Sequence, residues 1–138
     1  MPAVHSYSDS TTTAAPPEEV WKLLHDPARM EEWLTGLEGV EAIEPGDEET
    51  RYTAFSQFYP GAALPQVLRA EREGSRIVIS CLSTGSRYEW RLGERSGGEG
   101  TEIALTVELG EKEAPFLAQH RAGMGSALER LARLAERA

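Results

Sequence analysis

From Val40 to Leu109 the chain breaks into short extended runs separated by turn residues at roughly ten-residue intervals, which is the pattern of an antiparallel meander. Beyond Gly110 the pattern changes to a segment rich in Ala, Leu, Arg and Glu, with no proline after Pro115. This contrast constrains the fold more than any other feature, because a half-polar sheet and a striped helix must each cover the other's apolar face. Strands are predicted near 40–45, 50–59, 66–73, 76–83, 86–94 and 101–109. Turns fall at Pro45-Gly46-Asp47, Gly61, Glu73-Gly74-Ser75, Thr84-Gly85 and Ser96-Gly97-Gly98. In the last two strands Tyr88, Trp90 and Leu92 oppose Arg87, Glu89 and Arg91, while Ile103, Leu105, Val107 and Leu109 oppose Glu102, Thr106 and Glu108. The final helix, about twenty residues long, carries Leu117, Met124, Leu128, Leu131 and Ala135 as its stripe.

Ahead of the meander, Val4 to Thr13 is polar but β-branched and reads as a first, edge strand. Pro16-Pro17-Glu18-Glu19 opens a helix whose apolar face is Val20, Trp21, Leu23 and Leu24, with prolines in the first turn and carboxylates at the positive end of the dipole. Asp26 caps a second short helix that Pro27 begins, with Met30, Trp33 and Leu34 on one face and Gly36 and Gly39 at its end. The predicted class is α+β: six to seven antiparallel strands, two short helices after the first, and one long helix last. A cystatin-like barrel, the rival, places its long helix early.

A chain of 138 residues is about one domain, residues 1–138, with one sizeable core. Its 23 acidic against 14 basic residues give a net charge of -9, which disfavours a phosphate backbone or an anionic membrane as partner. The single cysteine, Cys81, makes no internal disulfide and reads as packing in its strand. Asp9, the Ser/Thr run and Pro16-Pro17 interrupt what a signal peptide would need, and no stretch is long and apolar enough for a membrane span. The expectation is a cytoplasmic protein with no nucleic-acid partner and no integral membrane segment, monomeric or homodimeric. His5, His25 and His120 share no metal-ligand spacing, and neither Gly-x-Ser-x-Gly nor a phosphate loop occurs, so no metal or cofactor is expected. His25 reads as the end of its helix.

The run from Ala15 to Asp26 (Ala-Pro-Pro-Glu-Glu-Val-Trp-Lys-Leu-Leu-His-Asp), followed by Trp33, resembles the opening of the START-related SRPBCC superfamily in its polyketide cyclase/dehydrase branch. The Tyr88-x-Trp90-x-Leu92 strand and the Gly97-Gly98-x-Gly100-Thr101 turn resemble it too, so that the likeness spans about Ser6 to Glu136. It implies a helix-grip fold like that of the birch pollen allergen, in which a curved sheet wraps the last helix over a cavity for a hydrophobic small molecule. Lipid carriers, hormone receptors, aromatase/cyclases and chaperone activators share that fold, which therefore names no activity.

Candidates to line such a cavity are Trp33, Phe55, Phe58, Tyr88, Trp90, Leu105, Phe116, His120 and Met124. His120 falls on the apolar stripe between Leu117 and Met124; it is either a boundary histidine bonded to strand backbone or the candidate acid/base. Tyr88 and Trp90 either contact a ligand or fill the core. The loop from Pro60 to Pro65 reads either as a gate over a pocket mouth or as an ordinary hairpin. Among Ser56, Arg69 and Arg87, considered as polar cavity groups, the arginines read better as solvated. Three functions follow. The first is carriage of a lipid or polyketide-like molecule without covalent chemistry. The second is a cyclase/dehydrase using His120 with Tyr88 orienting the substrate, and the third is a protein-binding domain like the chaperone activators.

Overall fold

The computed structural model describes residues 5–137, so the part of the first predicted strand at Val4 lies outside the described residues. The observed order is β1 (Ser6–Thr13), α1 (Pro17–Leu24), a 3-10 turn (Pro27–Glu32), β2 (Leu37–Glu44), β3 (Glu49–Ser56), β4 (Leu64–Glu71), β5 (Arg76–Cys81), β6 (Arg87–Glu94), β7 (Thr101–Glu108), a second 3-10 turn (Ala114–Phe116) and α2 (Leu117–Glu136). The seven strands form one antiparallel sheet in the order β1-β7-β6-β5-β4-β3-β2. This is the helix-grip arrangement, with β1 on an edge as its polar sequence requires.

Local chemistry accounts for the elements before the meander. Pro17 occupies the first turn of α1, Glu18 and Glu19 follow it, and Val20, Trp21, Leu23 and Leu24 are all buried. Asp26 accepts from the Ala28 amide at 3.0 Å and caps the next segment, which tightens into a 3-10 turn with Pro27 at its start. Gly36 leaves that turn at φ +88°, whereas Gly39, expected to end the helix with it, lies inside β2. β2 begins at Leu37, earlier than predicted, and is irregular: Ala42 sits at φ +52° where the register slips between Glu41 and Glu44.

The glycine-threonine turn has a packing role. A Cβ on Gly100 (φ +124°) would stand 2.2 Å from the Thr13 carbonyl oxygen, so only glycine fits. Thr101, fully buried, then donates to the Ala15 carbonyl at 2.9 Å, and Thr13 donates to the Ala132 carbonyl at 2.8 Å. These bonds tie β1, β7 and the carboxy-terminal half of α2 into one block.

On α2 the buried residues are Met124, Ala127, Leu128, Leu131, Ala132 and Ala135, none of them in its first two turns, while Leu117 is only half-buried. The helix therefore closes onto the core from Met124 onward. Its first turns leave space above the middle strands. On the other side of that space, Trp33 and Trp90, both fully buried, meet edge to face with ring centroids 5.4 Å apart.

Candidate functional site

Strand alternation builds the floor of the space. Tyr52, Ala54 and Ser56 of β3, Gln66 of β4, Ile79 and Cys81 of β5, and Tyr88 and Trp90 of β6 all point to the concave face. Gln119, His120, Gly123 and Met124 of α2 form the roof, and Met30 with Trp33 to Leu37 forms one wall. The cavity, open at its mouth, has a volume of about 160 Å³. That is below the roughly 300–1,000 Å³ of drug-sized ligand sites, yet room for a one-ring molecule or several waters.

Of the residues predicted to line a cavity, Trp33, Phe58, Tyr88, Trp90, His120 and Met124 come together around it. Three do not. Phe55 alternates with Ala54 and Ser56 and so lies on the opposite face of β3. Leu105 of β7 is in the closed core at 1% exposure, and Phe116 sits in the 3-10 turn before α2, out of phase with the helix stripe and 56% exposed. Of the loop considered as a gate, Leu64 lines the cavity but already belongs to β4, and Phe58, just before Pro60, is 64% exposed at the rim. Ser56 is in the lining, whereas Arg69 points to solvent and pairs with Glu49 at 3.1 Å. Arg87, also outside the lining, is half-buried and alternates with Tyr88.

His120 is the centre of the polar arrangement. Its Nδ1 lies 2.6 Å from the Tyr7 hydroxyl and its Nε2 lies 2.7 Å from the Tyr88 hydroxyl, so both ring nitrogens are engaged by phenols from opposite sides. Partial burial pushes the His120 pKa down, opposed by the Glu113 carboxylate, which favours the neutral imidazole. Burial raises both tyrosines, with Asp9 adding to the effect at Tyr7 and Glu113 at Tyr88, so both hydroxyls keep their protons. The Arg121 guanidinium lies 5.7 Å over the Tyr7 ring and holds it from the outside.

Further polar groups surround this centre. Glu113 accepts from the Ser86 hydroxyl, and Ser86 in turn accepts from the Gly110 amide at 3.0 Å. Burial and the same carboxylate push Tyr59 up to about 12. Burial raises the Cys81 thiol, but hydrogen bonding by Thr84, Gln66 and Ser83 outweighs it and the net shift is downward. Neither lysine nor helix terminus supplies that shift, which is why the strand sequence around Cys81 carried no sign of it. The indole N–H of Trp90 and the hydroxyl of Thr35, both in the lining, are buried without a protein partner. Among the described residues no three His, Cys, Asp or Glu side chains cluster as a metal site would need. No helix among them is long and apolar enough to cross a membrane.

Tyr7, Glu113, Thr35 and Gln66 escaped sequence reasoning. Tyr7 is 113 positions from His120, in a strand read only for its polarity. Glu113 sits in an acidic run, Glu111-Lys112-Glu113, that looks like solvated surface.

A search of solved structures returns the same architecture repeatedly. The Zhui aromatase/cyclase from Streptomyces sp. R1128 superposes with a TM-score of 0.81 at 19% identity, covering 98% of this chain and 95% of that one. The di-domain aromatase/cyclase StfQ of the steffimycin biosynthetic pathway gives a TM-score of 0.75 at 16% identity over 95% of this chain and 44% of its own. A protein from Thermus thermophilus gives 0.68 at 21% identity, over 96% and 94% of the two chains. No curated protein matches in sequence. The family model described as polyketide cyclase/dehydrase and lipid transport matches residues 4–137, and with the helix-grip fold in place this chain belongs to that family.

Proposed function

We propose that this protein binds a hydrophobic small molecule, lipid or polyketide-like, in the cavity between the middle strands and the first turns of α2. The observation that carries the reading is the pairing of apolar walls with two buried polar groups that have no protein partner, the Trp90 indole N–H and the Thr35 hydroxyl. A buried donor left unmade costs about 1–3 kcal/mol, and a ligand oxygen that accepts from it removes that cost. At about 160 Å³ the site takes a single ring or short chain as it stands, and a larger guest needs Phe58 to swing from the rim.

Gly123 provides the test. It faces the cavity from α2, and a Cβ built on it meets nothing within 4 Å. Gly123→Leu directs its side chain into that open space and raises helix propensity. Titrating fatty acids and aromatic polyketides against the parent chain is expected to raise its melting temperature and to quench Trp33 and Trp90 fluorescence. The Gly123→Leu variant, equally folded, is expected to show neither effect. Absence of any response in the parent chain overturns the reading.

A second reading, turnover of the cyclase/dehydrase kind, is favoured by one feature: His120 is held neutral between two phenols at the cavity wall, as an acid/base group requires. Unchanged turnover of a polyketide substrate after His120→Ala removes that mechanism.

A further inference from the structure

The hydroxyl-imidazole-hydroxyl chain has a direction. A neutral imidazole carries one proton, so one of its nitrogens accepts and the other donates. Tyr7 is 7% exposed, and among the described residues its hydroxyl has one hydrogen-bond partner, His120 Nδ1. Its proton therefore goes to Nδ1, since the alternative leaves a buried O–H unpaired. That puts the imidazole proton on Nε2, where it is donated to the Tyr88 oxygen. The Tyr88 O–H is then left over. Tyr88 lines the cavity and Tyr7 does not, and among the described residues His120 is the sole hydrogen-bond partner of the Tyr88 side chain.

From this geometry we infer that Tyr88 is a directed hydrogen-bond donor to an acceptor oxygen, such as a ketone or enolate, on the molecule in the cavity, and that Tyr7 is the positioning residue that sets this direction through His120. The ligand half of the inference rests on the binding reading above; the tautomer half stands on the protein alone. Cooperative polarisation along the chain strengthens the terminal donor as negative charge grows on the ligand oxygen, the direction needed to favour an enolate over its ketone. Arg121 lies over Tyr7 at one end of the chain, and the Glu113 carboxylate acts on all three of its groups.

Nitrogen-15 NMR of the His120 ring, recorded where it is neutral, tests the tautomer in the unliganded protein. The expected spectrum has a pyridine-like Nδ1 and a pyrrole-like Nε2; the reverse assignment overturns the proposal. Affinity for acetophenone, set against ethylbenzene, a probe of similar shape without the carbonyl, tests the ligand half. Tyr88→Phe is expected to weaken acetophenone roughly three- to tenfold and leave ethylbenzene within twofold. Tyr7→Phe, a change outside the cavity, is expected to weaken acetophenone about twofold or more without affecting ethylbenzene. It does so by admitting a competing state in which Tyr88 donates to Nε2. Equal losses for both probes, or an unchanged acetophenone affinity in Tyr7→Phe, overturn the assignment of Tyr7. If neither probe binds the parent chain, the ligand half and the binding reading fall together, while the tautomer is still decided by the spectrum.

Discussion

Replacing His120 by leucine should destabilise the protein, and removing two further hydroxyls should then restore it. Leucine suits the stripe position between Leu117 and Met124 in size and polarity, so lost packing is a minor part of the effect. The main cost is that Tyr7 and Tyr88 each lose a partner. An unsatisfied buried hydroxyl costs about 1–3 kcal/mol. Tyr7, at 7% exposure, belongs at the upper end, about 2–3 kcal/mol. Tyr88 faces a cavity that admits water and belongs near about 1 kcal/mol. His120→Leu should therefore cost about 3–4 kcal/mol, or about 12–16 °C in melting temperature for a chain of this size. Combining Tyr7→Phe and Tyr88→Phe with His120→Leu deletes the orphaned groups, and stability should return to within about 1 kcal/mol of the parent. Urea titration of the parent, the single variant and the triple variant measures this, with the slope of the transition checking that the unfolded state is unchanged. Should each Tyr→Phe change destabilise further in the His120→Leu background, the three side chains do not form one hydrogen-bonded unit.

Two other predictions concern the titration of the site and its mouth. Because the folded protein holds His120 below its ordinary value of 6.5, the stability present above that pH is lost as pH falls below it. The loss runs at up to roughly 1.4 kcal/mol per pH unit and levels off beneath the folded pKa. The difference between the urea midpoints of the parent and His120→Gln, followed from neutral to acid pH, should show that slope, and a flat difference would refute the burial argument. At the mouth, a Cβ on Gly36 would stand 2.7 Å from the Phe58 ring, in a backbone conformation that costs a non-glycine residue about 1–2 kcal/mol. Gly36→Ala should lower stability by that amount and push the ring off the rim, speeding association of an apolar fluorescent dye in stopped-flow. An unchanged association rate means that Phe58 does not seal the entrance.

What the sequence determined by itself was local. Alternation in β6 and β7 placed Tyr88, Trp90, Ile103 and Val107 on one face, because strand side chains alternate whatever they pack against. The spacing of Met124, Leu128, Leu131 and Ala135 did the same for the last helix, and the prolines and carboxylates ahead of Val20 marked the first. Where phase is lost, the expectation fails: Phe116 lies in a 3-10 turn that does not carry the register of α2, and Phe55, though aromatic, has the wrong parity in β3.

Only the tertiary structure decided which part of the apolar face becomes cavity and which becomes core. Leu105 and Trp90 are cross-strand partners on the same face, yet only Trp90 lines the cavity, because α2 closes down from Met124 onward and stands off before it. The union of Tyr7, Tyr88 and His120 likewise joins residues 113 and 32 positions apart. Periodicity can assign a side chain to a face, but hydrogen bonding between distant elements depends on how those faces meet, and that is settled by twist, helix placement and the closing of the whole sheet.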